Sequence, residues 1–384
     1  MTELREKLNN IVEDYNACKV LAQSIGSSEV YEGTTAIAED IREGRTAYSN
    51  GKLIEGTMPD NNAKLTESLV AGDGQSTYLH QMIVRFPDNV TLSGTSAKNL
   101  FRGCKNLLEI PILDTSTITN MDFMCSSCAL VKEIPEMNVD NVTTISNGFS
   151  SCESVEKMPS FNFQNVIDGR YLFARCYKLK TIGKVNLPKA TNLECLFLDC
   201  RTLTELPDLT TGAVTNAYGM FYKCAGLAGD IVLNCDLSNA TDVKYLFNGC
   251  SNIKTISLPP MPKANSFEVM LYGCSKLERI LSIDPSNITS ANDMVTGCTS
   301  LTDEGLNDVL EMCIKAVKIT RANLKKLSTI GLTQEQVERC KTLPNYQACI
   351  DARLGNRILG GVTDVRIKRI INKHIRRKKK KNYT

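Results

Sequence analysis

Residues 173–182 read Phe173-Ala174-Arg175-Cys176-Tyr177-Lys178-Leu179-Lys180-Thr181-Ile182, and residues 197–206 read Phe197-Leu198-Asp199-Cys200-Arg201-Thr202-Leu203-Thr204-Glu205-Leu206. Both strings follow Phe-x-x-Cys-x-x-Leu-x-x-Ile/Leu and stand 24 residues apart. The cysteine returns as Cys104, Cys128, Cys152, Cys176, Cys200, Cys224, Cys250, Cys274 and Cys298, always 24 residues on except for 26 between Cys224 and Cys250. A fixed period in the twenties marks a solenoid, in which each unit buries its apolar side only against its neighbours.

Other columns keep the same phase. Three residues before the cysteine stand Phe101, Phe149, Phe173, Phe197, Phe221 and Phe247, then Leu271 and Val295. Three residues after it stand Leu107, Val131, Val155, Leu179, Leu203, Leu227, Ile253, Leu277 and Leu301. Six residues after it come Ile110, Ile134, Met158, Ile182, Leu206, Ile256 and Ile280. These columns are the predicted core, and the Cys-x-x-Leu-x-x-Ile stretch reads as the entry to one short strand per coil, stacked into a parallel sheet. Proline follows at Pro111, Pro135, Pro159 and Pro207, and proline cannot donate to a ladder, so the strands should be about three to five residues long. Nine coils at about 4.8 Å each would stack to roughly 40 Å.

The cysteines invite a disulfide or metal reading, but each sits at a core phase, where free cysteine packs as a small hydrophobe. Stacked neighbours would lie about 4.8 Å apart, longer than the Cβ separation of about 3.8 Å that a disulfide wants. Cys125-Ser126-Ser127-Cys128 has zinc-knuckle spacing without a second pair, and Cys125 stands where most coils carry phenylalanine. The chain has only two histidines, His80 and His374. No nucleophile elbow, phosphate loop or metalloprotease helix is present, so the sequence points to no enzyme, no cofactor and no metal.

Segments such as Ser116-Thr117-Ile118-Thr119-Asn120-Met121, Asn141-Val142-Thr143, Ala190-Thr191-Asn192 and Asn287-Ile288-Thr289, each leading into a Phe-x-x-Cys-like step, resemble the BspA-like leucine-rich repeat over about residues 84–303. That resemblance implies adhesion or ligand binding rather than catalysis. The fold expected is an α/β solenoid of about nine 24-residue coils with short parallel strands, an N-terminal helix and β-hairpin, and a C-terminal helical cap.

Residues 1–30 space Leu4, Leu8, Ile11, Tyr15, Cys18, Ala22 and Ile25 as a heptad seam, which suits either a coiled-coil homo-oligomer or a helix packed on its own chain. In residues 31–60, the run Ile41-Arg42-Glu43-Gly44-Arg45-Thr46-Ala47-Tyr48-Ser49-Asn50-Gly51 reads as a helix end followed by a hairpin turning at Asn50-Gly51. It resembles a small module of bacteriophage tail and fibre proteins, with Arg45 where that module carries lysine. Residues 61–83 are a linker and N-terminal cap.

Residues 304–360 are the expected C-terminal cap, with Asp303 capping a first helix to about Val317, a Thr333/Gln336 capping box opening a second, and a third from Asn345 to Leu354. Residues 361–384 are a basic tail. Ten Lys or Arg and no acid fall between Arg366 and Lys381, leaving 35 basic against 42 acidic side chains elsewhere. Such a run is usually solvated, and nucleic acid is not an expected partner of the chain except through this tail.

The functional expectation is a binding protein, most simply a bacteriophage tail or fibre component made in the host cytoplasm without a signal peptide and with no membrane span. Residues 1–60 would join it to other virion tail proteins. The solenoid would meet a host cell-surface protein or glycan through Glu109, Glu133, Lys157, Thr181, Glu205, Thr255 and Arg279, the position five residues past each ladder cysteine. The rival reading is a bacterial surface adhesin or another leucine-rich-repeat interaction protein.

Overall fold

The computed structural model describes residues 94–316 and 327–349, Leu92, and the backbone of two strands near the N-terminus. Those two strands, β1 (Thr46–Ser49) and β2 (Lys52–Glu55), pair antiparallel with Ser49 opposite Lys52, which is the hairpin expected around Asn50-Gly51. The heptad helix, the linker and the basic tail lie outside the described residues.

The chain forms two compact units, residues 1–214 with 223–226 and residues 215–222 with 227–384. Both are built of the same parallel coil at the predicted spacing. The core is the predicted one: the cysteine ladder, Phe101, Phe149, Phe173, Phe197, Phe221 and Phe247, and Leu107, Val155, Leu179, Leu203, Ile253 and Leu277 are all buried. Ring faces continue from coil to coil, with Phe173 5.2 Å from Phe197 and Phe221 5.1 Å from Phe247, both stacked.

The strongest regular feature is a ribbon of tight turns ahead of each cysteine, which the hydrophobic pattern does not reveal. In the first coil, Leu100 N–H donates to the Ala97 carbonyl, Arg102 to Asn99 and Cys104 to Phe101, three overlapping turns. The alternate N–H groups, of Ala97, Asn99, Phe101 and Gly103, donate across to Asn120, Asp122, Met124 and Ser126 of the next coil at 2.7–2.9 Å. Two of the three turns need a left-handed residue at their third position. Such residues recur five and one before the cysteine: Asn99 and Gly103, Asn147 and Ser151, Tyr171 and Arg175, Tyr245 and Gly249, Asp293 and Gly297.

Eight residues before the cysteine, Asn120, Asp168, Asn192, Asn216 and Asp242 each accept the N–H two residues on through their own side-chain oxygen. This bond starts the ribbon, and it explains the Thr-Asn column in the sequence.

The strands are shorter and more varied than one per coil. β3 (Lys157–Met158) pairs with β5 (Thr181–Ile182) at the predicted place, and β3 stops directly before Pro159. β4 (Phe161–Asn162), β6 (Val185–Leu187) and β7 (Leu209–Thr211) make a second parallel sheet farther along the coil. In the other unit β8 (Ala228–Val232), β9 (Asn252–Ser257) and β10 (Arg279–Ser282) form one sheet in the order β10-β9-β8. β9 reaches six residues because Ser257, not proline, follows Ile256. The expectation of about nine coils in one ladder needs correction: the longest run of linked bridges, Ser96 to Asn120, Thr144, Asp168 and Asn192, crosses five coils.

At the C-terminal end the last coil is closed on both sides. Asp293 N–H donates to the Thr329 carbonyl and Val295 N–H to Ile330, so the one-turn helix Leu327–Ile330 stands in for the next coil's ribbon. Gly331, at φ +102, lies so close to Thr296 that any side chain would collide. Helix α1 (Asp303–Lys315) covers the sheet end, burying Leu306, Val309, Leu310 and Cys313 as expected. Its cap is Thr302 rather than Asp303, because the Thr302 hydroxyl accepts from Gly305 N–H and Asp303 begins the first turn. Helix α2 (Gln334–Cys340) opens with the predicted Thr333/Gln336 capping box, and Gln336 also donates to the Cys298 carbonyl at 2.9 Å. The backbone is helical again over 345–349.

The cysteines do more than fill space. Each thiol from Cys128 to Cys298 donates to the carbonyl three residues before the preceding cysteine, for example Cys176 to Phe149 and Cys200 to Phe173, at 3.0–3.3 Å. All fifteen described cysteines are free and buried.

Burial lifts the Cys104, Cys176 and Cys298 thiols from the ordinary 9.0 to about 12. Above pH 9 the unfolded chain loses these protons and the folded chain keeps them. The thiol contribution is therefore intact below about pH 9 and is lost as pH rises towards 12. Urea midpoints under reducing conditions should fall over that window, and Cys176→Ala should lower neutral-pH stability by about 1–3 kcal/mol and make the alkaline fall shallower.

Val269, a β-branched residue at φ 50, occupies the left-handed column that Asn99 and Asn147 fill elsewhere. Val269→Asn should raise thermal stability by about 1 kcal/mol.

Candidate binding faces of the solenoid

The predicted residues five past each cysteine do line up where the sheet places them. Glu133 bridges to Lys157, and Lys157 pairs with Thr181, so three adjacent coils carry a continuous row. Glu109, Glu133, Lys157 and Glu205 are exposed and Thr181 is half-buried. In the second unit Thr255 lies opposite Arg279.

Neighbouring side chains on this face bind each other. One position earlier, Lys180 pairs with Glu156 at 2.7 Å and Lys254 with Glu278 at 3.6 Å, and Lys180 holds the Glu156 carboxyl below its usual range. The Thr255 hydroxyl donates to Asp230 at 2.8 Å. Arg279 makes a two-pronged contact with Asp308 of α1, at 3.0 and 2.9 Å, and so fastens the cap. The row Glu109 to Glu205 is thus the accessible part, while Thr255 and Arg279 already have work inside the molecule.

The hydrophobic columns gave no hint of a second face, the outer side of the turn ribbon. In the second unit Tyr218 and Tyr245 lie with ring centroids 5.0 Å apart and Tyr222 and Tyr245 with centroids 5.7 Å apart, all three half-buried. Tyr272 is 43% exposed in Tyr222's column, two coils along. Their sequence signal is that they fall two, five and six residues before a cysteine, off every core phase.

The group closest to reactive chemistry is also on a ribbon. The Tyr171 hydroxyl donates to Glu194 at 2.9 Å next to Cys195, yet burial raises the Tyr171 hydroxyl far above its usual range and lifts the Cys195 thiol to about 11. Neither group is poised to ionise at neutral pH, so the arrangement serves as a latch between coils. Among the described residues, no cluster of three or more His, Cys, Asp or Glu could hold a metal, and no helix is long and apolar enough to cross a membrane.

A double-mutant cycle with Arg279→Met and Asp308→Asn should return a coupling of about 1 kcal/mol in unfolding free energy, since the pair is two-pronged and Asp308 is largely covered. Additivity of the two substitutions would mean that this pair contributes nothing to holding the cap.

No curated protein matches the chain. A similar solved structure is a leucine rich cell surface protein from Faecalibacterium prausnitzii A2-165, 13% identical, covering 68% of this chain and 86% of that chain with a TM-score of 0.21, a likeness on which no argument rests. The family described as "Mycoplasma protein of unknown function, DUF285" matches residues 95–207 and 191–309, together more than half of the 384 residues, and the chain belongs to that family.

Proposed function

We propose that the chain is a non-enzymatic binding protein whose solenoid meets a surface receptor, a protein or a glycan, and that it does so as a tail or fibre component of a bacteriophage particle. The observation that carries the binding role is the row Glu133, Lys157 and half-buried Thr181 on three adjacent paired coils, with Glu109 and Glu205 exposed at the equivalent positions of the coils on either side. Repetition makes such a row effective: several weak contacts on one ligand, and several copies on one particle, multiply into avidity with no single strong site.

The phage setting draws on the antiparallel pair β1–β2, whose strands carry the Thr46-Ala47-Tyr48 part of the tail-protein module and are joined in the sequence by Asn50-Gly51. In this reading residues 1–60 join the chain to other tail proteins, by a coiled coil or otherwise, and leave the solenoid projecting.

Two measurements separate the parts of the proposal. Mass spectrometry of purified particles should find the chain in the virion, and its absence there would leave a bacterial surface adhesin as the reading. Charge reversal of Glu109, Glu133, Lys157 and Glu205 together should cut cell binding at least tenfold without changing the melting temperature by more than a few degrees. Unchanged binding would show that the strand row is not the recognition face.

A further inference from the structure

The strand face of the first unit carries two columns of charge, and only one of them is satisfied inside the molecule. Four residues past the cysteine, Lys132, Glu156 and Lys180 alternate in sign on successive coils. Lys180 bonds Glu156 at 2.7 Å, and Lys178 and Lys132 add to the field that holds the Glu156 carboxyl below its usual range. That column is closed upon itself.

One position on, Glu133, Lys157 and Glu205 are exposed, and none of the three side chains makes an ion pair or a hydrogen bond. A charge on a partner can therefore meet each of them without first breaking an internal pair.

The order of sign along this column restricts what can meet it. From Glu133 the coils run acid, base, neutral, acid. The Glu133 bridge to Lys157 and the pairing of Lys157 with Thr181 fix the first three, and Thr204 N–H, donating to the Lys180 carbonyl at 3.4 Å, brings the coil of Glu205 alongside. At about 4.8 Å per coil, Lys157 stands one step from Glu133, and Glu205 stands three steps away, about 14 Å.

A second copy of the chain does not suit this order. Face to face about a two-fold axis at the middle of the row, Lys157 would oppose Lys157 and Glu109 would oppose Glu205. The run from Arg366 to Lys381 has bases and no acid, so it would set a base over Lys157.

An extended polypeptide of mixed sign does suit it. Side chains on one face of a strand recur about 6.8 Å apart, so a base-x-acid-x-base segment holds its two bases about 13.6 Å apart. The bases then meet Glu133 and Glu205, and the acid lies within reach of the long, flexible Lys157 side chain.

We infer that Glu133, Lys157 and Glu205 form a docking row for an extended base-x-acid-x-base segment of a partner protein. The inference rests on the strand row being the recognition face, and it adds the order of charge that the receptor must present.

The test passes the full chain over three peptides immobilised at equal density: Gly-Lys-Ser-Asp-Ser-Lys-Gly, its composition isomer Gly-Lys-Ser-Lys-Ser-Asp-Gly, and the sign-reversed Gly-Asp-Ser-Lys-Ser-Asp-Gly. The first should bind about tenfold tighter than its isomer at low salt, and the difference should shrink as ionic strength rises. The triple variant Glu133→Lys, Lys157→Glu, Glu205→Lys should invert the preference and retain the sign-reversed peptide, a result that mere loss of folding cannot give.

Equal retention of the two isomers, or an unchanged preference in the triple variant, would overturn the inference. A preference that disappears on deleting residues 366–384 would overturn it too, by placing recognition in the basic tail. Loss of cell binding on charge reversal of the row, with no order preference among the peptides, would overturn this inference alone and leave the receptor role standing.

Discussion

The carbonyl three residues ahead of each ladder cysteine is the point on which the coil turns. It accepts the cysteine's own N–H at Cys104, Cys128, Cys200, Cys250, Cys274 and Cys298, closing the last turn of the ribbon, as Phe101 does for Cys104 at 3.0 Å. It also accepts the thiol of the next coil's cysteine, as Phe101 does for Cys128 at 3.1 Å. Two donors from successive coils therefore meet on one oxygen deep in the core. The side chain that makes the second bond must be small, must donate, and must tolerate complete burial. Serine would donate more strongly but costs more to bury; alanine or valine cannot donate at all. Cysteine satisfies all three demands, so the column is cysteine for a reason beyond volume. Its thiol must also stay protonated, and burial secures that.

From this constraint the rest follows in order. The ribbon fixes alternate N–H groups across to the next coil, so coil spacing is set by backbone bonds and not by the short strands. Strands can then vary without loss of register, two residues in β3 and six in β9, and proline can end them where it falls. The rings at the phenylalanine column stack because the backbone has already spaced them.

The sequence disclosed the parts of this fold that are apolar and periodic. Cysteine, phenylalanine and leucine columns identify the core because burial selects residue type directly. The capping box at Thr333 was readable because it is a local bond between two side chains and two neighbouring N–H groups. The ribbon was not readable, since its left-handed positions accept Asn99, Phe123, Tyr171, Cys195 and Val269 alike, and such variety leaves no column to notice. Nor was the engagement of Arg279, because its partner Asp308 stands in a helix outside the repeat. The strand row was legible in the sequence and the tyrosine cluster was not for the same reason: a search by core phase sees what lies next to core positions.

That variety bears on function. On the strand face, charges pair from coil to coil, Glu156 with Lys180 and Lys254 with Glu278, and a substitution there disturbs a neighbour within the stack. Along the ribbon the repeating bonds between coils are made by backbone groups, and side-chain pairs such as Tyr171 with Glu194 and Ser126 with Ser150 add to them. Two residues before the cysteine the chain places Arg102, Ser126, Ser150, Ala174, Leu198, Tyr222, Asn248, Tyr272 and Thr296 in turn, with Ser126, Ser150, Ala174 and Asn248 buried and Tyr272 exposed. A repeat whose coils are joined mainly by backbone bonds can vary its exposed side chains without losing its fold.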